Sequence, residues 1–171
     1  MKARKARLKD VAAIHELIAH YASQGLLLPR TEDEIRLHVR RFLVLEEGGR
    51  VIGCVALESY GADLAEVRSL AVDPAIRGRG LGARLLRFAL ATAKRRKIAR
   101  VFAVTHAPDF FGRLGFVAST SAMAEALPEK VARDCRTCPK AEKCELVAVI
   151  ATVIPERATL PILEAKPAPA V

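Results

Sequence analysis

The chain has no tryptophan and only two tyrosines. Proteins that bind single-stranded nucleic acid stack bases on aromatic faces, and that platform is poorly supplied here. The net charge of +9 therefore points less to nucleic acid than to a polyanionic small molecule or an acidic substrate. Nor is there an apolar run approaching the roughly 20 residues a membrane span needs. The basic stretch Met1 to Arg7 lacks the apolar segment of a secretory signal, so a cytoplasmic location with no membrane partner is expected. Internal repeats are absent as well.

What is present fits one domain. At 171 residues and 51% hydrophobic content the chain can bury a real core. Strand-like and helix-like patterns alternate, the signature of an α/β or α+β protein. Ala3 to Leu8 reads as a strand, and Asp10 as the N-cap of a helix running to about Gln24, stopped by Gly25. Thr31 and Glu34 form a capping box opening a short helix. Phe42–Glu46, the Gly48-Gly49 turn and Val51–Glu58 read as a hairpin. A strand at Leu64–Val72, a helix at Leu81–Arg96, a strand at 100–104, a short helix near 109–114 and strands at Gly115–Ser119 and Val147–Ile154 follow. The domain is expected over residues 1–154. Residues 155–171, with four of the nine prolines, read as a disordered or loosely docked tail.

The most informative stretch is Arg77-Gly78-Arg79-Gly80-Leu81-Gly82. It links the strand ending at Val72 to the helix opening at Leu81. A Gly-rich turn feeding a helix aims unpaired N–H groups and a positive dipole end at one spot, which suits a phosphate. Neither the dinucleotide fingerprint nor the nucleotide-triphosphate loop is present. The pattern R-x-x-G-x-G resembles the GNAT superfamily of acyl-CoA-dependent N-acetyltransferases. A second landmark, Phe110-Phe111-Gly112-Arg113-Leu114-Gly115-Phe116, follows the strand at 101–104 at a fitting distance. The resemblance implies the GNAT fold, a mixed central sheet of about six to seven strands flanked by helices, with acetyl-CoA as co-substrate.

It also implies roles. Leu70, Ala71 and Val72 would pair through their backbones with the pantetheine arm. Arg77, Gly78, Arg79, Gly80, Leu81 and Gly82 would hold the pyrophosphate. Glu66 occupies the position of the general base, its pKa raised by desolvation in an apolar strand; the alternative is a surface-facing glutamate. Alternation puts Glu66, Arg68 and Leu70 on one face, so Glu66 and Arg68 could form an ion pair. Many superfamily members carry a tyrosine at Phe111 that protonates the leaving thiolate. Phenylalanine has no proton to give, which turns attention to Thr105, with His106 beside it, or to water.

The resemblance narrows to the acetyltransferase domain of N-acetylglutamate synthases over about residues 3–150. Gly25-Leu26-Leu27-Leu28-Pro29-Arg30, Gly53-Cys54-Val55-Ala56-Leu57 and Ala65-Glu66-Val67-Arg68-Ser69-Leu70-Ala71-Val72 carry it. It looks like the short, single-domain form, and implies glutamate as acceptor. A dicarboxylate calls for two cationic forks, expected from Arg30 and Arg136, with Lys140 behind. Cys135, Cys138 and Cys144 form a C-x2-C-x5-C cluster that could hold a structural zinc or iron–sulfur cluster, completed by Cys54, a histidine, Glu145 or water. Three plain thiols are the alternative. Other acceptors, namely another amino acid, a polyamine or a protein N-terminus, and a non-catalytic acyl-CoA- or metal-sensing module compete with this reading. A homodimer is left open.

Overall fold

Phe42-Leu43-Val44-Leu45 is apolar at every position, and all four side chains are fully buried. A strand of that kind needs cover on both faces, and it has it. The structure, a computed structural model, describes residues 1–118 and 146–154. In chain order its elements are β1 (Lys2–Lys5), α1 (Val11–Ser23), α2 (Glu32–Leu37), β2 (Phe42–Glu47), β3 (Arg50–Tyr60), β4 (Leu64–Val72), α3 (Leu81–Arg95), β5 (Arg100–Thr105), α4 (Pro108–Gly112), β6 (Val117–Ala118) and β7 (Val147–Thr152). The sheet has seven strands in the order β1-β2-β3-β4-β5-β7-β6. Only β4 and β5 run parallel; the other pairs are antiparallel.

Alternate side chains sort into two cores. Phe42, Val44, Cys54 and Ala56 pack with Val11, Ile14, Ile18 and Tyr21 of α1 and Ile35 of α2. Leu43, Leu45, Val55, Leu57 and Val67 pack with Leu81, Leu85, Leu86 and Ala89 of α3. Gly53 lets α3 come close: a Cβ there would sit 2.9 Å from Leu85 Cδ1 and 3.1 Å from the Ala71 carbonyl. Among the described residues no helix is long and apolar enough to cross a membrane.

The expected elements appear, with shifted ends. β1 stops at Lys5 because a short 3-10 turn over Leu8–Asp10 leads into α1. Asp10 sits at the N-cap of α1, yet its side chain makes no capping bond to the helix. It is turned instead to Arg4, which donates from Nη1 and Nη2 at 2.7 and 2.9 Å, and it accepts the Arg7 N–H at 2.7 Å. A guanidinium packed beneath β1 requires that counter-charge more than the helix requires the cap. The capping box of Thr31 and Glu34 forms as expected. The strand expected at 115–119 is short, Val117–Ala118, and the tail from 155 lies outside the described residues.

The Arg4 guanidinium holds the Asp10 carboxyl below the ordinary aspartate range. A folded value that is depressed stabilises the fold above the unfolded value of about 3.9 and loses that contribution as pH falls toward the folded one. Asp10→Asn is therefore expected to cost about 1.5–3 kcal/mol, the scale of hydrogen bonds to a charged group. Urea unfolding at neutral pH measures it, and the difference from the parent should shrink on acidification below pH ~4.

Candidate active site

The β4–β5 ladder is only three residues long, from Leu64–Arg100 to Glu66–Phe102. Beyond Glu66 the two strands diverge while β4 runs on to Val72 and β5 to Thr105. A bulge accompanies the divergence. Cys54 pairs with Ala71 and Ala56 with Arg68, so β4 spends three residues where β3 spends two. Ser69, in the bulge, has φ of +50°, the left-handed region that non-glycine residues seldom adopt. The Cys54 thiol donates to its carbonyl at 3.6 Å.

The extra residue reverses the alternation. Ala65 and Val67 face the α3 core before the bulge, and Leu70 and Val72 pack against that same core after it, with Ala71 on the α1 side. Leu70 is thus not on the face of Glu66 and Arg68, contrary to simple alternation. The Glu66–Arg68 pairing does occur, with Arg68 Nε 3.6 Å from Glu66 Oε1.

The opened strands frame a cleft of about 920 Å³. One wall is Val67 to Val72 of β4; the other is Val104 and Thr105 of β5 with His106; Phe110, Phe111 and Leu114 close the base. Arg77, Gly78, Gly80, Leu81 and Gly82 line one end. Arg79 is exposed and is not part of the wall. Gly78 and Gly80 have φ of +80° and +72°, which is why glycine stands at both. Gly80 is the N-cap of α3 and supplies no side chain to it, so the N–H groups of Leu81, Gly82 and Ala83 have no helical partner.

Tyr21 of α1 reaches this turn. Its hydroxyl donates to the Val72 carbonyl at 2.5 Å and accepts from Arg77 Nε at 2.9 Å. The Arg77 guanidinium lies 4.7 Å from the centre of the Tyr21 ring. At the other end of the site, Glu66 accepts from the Tyr60 hydroxyl at 2.8 Å. Glu58, its direct cross-strand neighbour, binds Arg41 at 2.6 Å and Arg68 at 3.8 Å. Glu66 is 5% exposed and is not on the cleft wall; Arg68 is. Burial first, then the Glu66 carboxylate, holds the Tyr60 phenol well above its ordinary value.

Arg30 is half-buried, with its guanidinium 5.9 Å from the Phe42 ring centre. Burial, with Arg68 nearby, pulls its pKa below the ordinary value, and Glu58, Glu34 and Glu66 oppose that. Arg30 thus belongs to the charged cluster around Glu66. Thr105 lines the cleft, and its hydroxyl oxygen accepts the Ala107 N–H at 3.0 Å. Phe111 stacks edge-on against Phe110 and Phe116.

Arg136, Cys135, Cys138, Cys144 and Lys140 lie outside the described residues. Cys54 does not suit a metal-ligand role: it is fully buried in the α1-side core, and burial pushes its thiol up to about 12. Among the described residues no group of three or more His, Cys, Asp or Glu could hold a metal ion.

A cleft between splayed parallel strands, with a Gly-rich turn at the start of the following helix, is matched by sequence. Residues 10–116 fit the model of the acetyltransferase (GNAT) family. The chain belongs to the GNAT acetyltransferase family. It is an acyl-CoA N-acetyltransferase. An uncharacterized N-acetyltransferase of Chlorobaculum tepidum is 38% identical over 150 residues, 88% of this chain and 95% of that protein. An amino-acid acetyltransferase of Mycobacterium tuberculosis is 37% identical over 131 residues, covering 74% of this chain and 75% of its own length. The N-acetylglutamate synthase of Neisseria gonorrhoeae, solved with coenzyme A and N-acetyl-glutamate, superposes with a TM-score of 0.80 at 29% identity. That match takes in 90% of this chain but only 35% of the longer synthase.

Sequence reasoning missed Tyr21 and Tyr60. They are the only tyrosines in the chain, and both bind charged residues of the site. Their scarcity was visible, but a tyrosine on an apolar helix face or strand reads first as core. In a Tyr21→Phe variant only Tyr60 can titrate as a phenol. Its absorbance at 295 nm should stay flat through the ordinary phenol value of about 10 while far-ultraviolet circular dichroism remains native. Ordinary titration in the folded variant would contradict the buried Tyr60–Glu66 contact.

Proposed function

We propose that this GNAT acetyltransferase moves the acetyl group of acetyl-CoA onto the amino group of L-glutamate. The observation that carries the reading is the half-buried Arg30 guanidinium in one charged cluster with Glu66 and with Arg68, which lines the cleft. Two guanidiniums close together, countered by carboxylates, favour an anionic acceptor and disfavour a polyamine. The likeness to an amino-acid acetyltransferase and to a synthase solved with N-acetyl-glutamate supports it.

In this reading the Gly-rich turn and the first N–H groups of α3 hold the diphosphate, and Leu70, Ala71 and Val72 align the pantetheine arm. A carbonyl oxygen has two lone pairs, so the Tyr21 bond to Val72 leaves one acceptor site there. Arg30 holds a carboxylate of the acceptor. Glu66, set behind the cleft wall, accepts a proton from its ammonium through a water. The free amine attacks the thioester carbonyl, the new C–N bond forms and the C–S bond breaks. Phe111 offers no proton to the departing thiolate, and the Thr105 hydroxyl, whose oxygen is already an acceptor in the turn, can still donate.

Release of free coenzyme A across the twenty amino acids tests the acceptor. Glutamate should be used well and glutamine poorly. Arg30→Ala should raise the Michaelis constant for glutamate by the equivalent of about 1.5–3 kcal/mol, the scale of charged hydrogen bonds. Equal use of glutamate and glutamine would sink the assignment.

Glu66→Gln keeps the Tyr60 contact and removes the base. Turnover is expected to fall about 10²–10⁴-fold with acetyl-CoA affinity little changed. A variant that retains most of its turnover at neutral pH would mean another group takes the proton.

A further inference from the structure

Arg77 is an exposed residue on a turn, where a long cationic side chain would ordinarily sample many rotamers. Here it is held. Its guanidinium lies 4.7 Å from the Tyr21 ring centre, and Nε donates to the Tyr21 hydroxyl at 2.9 Å. That hydroxyl is itself fixed, because it donates to the Val72 carbonyl at 2.5 Å and Tyr21 is only 5% exposed. The bond uses Nε, and it is the only hydrogen bond Arg77 makes among the described residues. The two terminal nitrogens, which form the bidentate edge for phosphate, are left for a ligand. The ring and Arg77 both line the cleft.

We propose that Tyr21 is a positioning residue that presets Arg77 for the diphosphate of the co-substrate. Preorganisation of this kind lowers the rotamer entropy lost on binding, and it acts only through a ligand that carries the diphosphate. The inference rests on the reading of the Gly-rich turn as the diphosphate site.

The test uses Tyr21→Phe, Arg77→Ala and the double variant, with coenzyme A in calorimetry and with acetyl-CoA and S-acetylpantetheine, which lacks the diphosphate, in kinetics. Tyr21→Phe should weaken coenzyme A binding by about three- to tenfold, the scale of the rotamer entropy lost when one long side chain is immobilised. The Michaelis constant for S-acetylpantetheine should stay within about twofold, because there is no diphosphate for Arg77 to meet. In the Arg77→Ala background, Tyr21→Phe should add nothing, since residues acting through one contact are not additive. Full additivity, or equal loss with both acetyl donors, would make Tyr21 only an anchor for α1 and overturn the proposal. If Tyr21→Phe fails to fold, Arg77→Lys decides. It keeps the charge but loses the Nε bond and the planar fork, so it should bind coenzyme A about as weakly as Arg77→Ala; parent-like binding would overturn the proposal. A folded Arg77→Ala that binds coenzyme A as the parent does would instead remove the turn reading itself, and the inference with it.

Discussion

The separation of β4 from β5 after Glu66 is the constraint on which the site depends. Three residues of parallel ladder hold the strands together, and then both continue without pairing to each other, β4 still on β3 and β5 still on β7. The divergence coincides with the extra residue that β4 carries opposite β3, where Ser69 takes a left-handed backbone. A bulge bends its strand and sharpens the local twist. Here it turns the end of β4 away from β5 and exposes a run of backbone to the cleft.

Consequences follow on both sides of the sheet. On the α3 side the bulge brings Leu70 and Val72 onto the core that Ala65 and Val67 began. On the other side it leaves Glu66 and Arg68 together with Glu58, next to Arg30. The charged cluster is largely buried, which is tolerable because its members are paired. Tyr60 extends it through Glu66, and its ring also lies 5.9 Å from Phe102 at the last rung of the β4–β5 ladder. The charge network and the point of divergence are therefore mechanically joined.

Tyr21 makes the corresponding junction at the other end. Its side chain binds β4 and Arg77, and its backbone carbonyl accepts the N–H of Leu26, in the loop leading to Arg30. One residue of α1 touches the turn read as the diphosphate site and the segment read as the acceptor site. Phe110 and Phe111 of α4 close the base of the cleft, edge-on to one another, with Phe111 backed edge-on by Phe116.

Local pattern in the sequence was enough for the order and kind of nearly every element, for the Thr31–Glu34 capping box, and for the Gly-rich turn. Each of these depends on residues near one another in the chain: apolar period, cap chemistry, the need for glycine at positive φ. The family followed from motif spacing, while the roles read for Glu66 and Arg30 came only with the resemblance. Other features depended on partners distant in sequence. Asp10 left its cap for Arg4, and Leu70 changed face because β3 imposes a register that β4 meets with an extra residue. Tyr21 found Arg77 fifty-six residues away. A period of two or of 3.6 carries no information about such pairings; they are decided when the sheet closes and buried charges and hydroxyls must find partners.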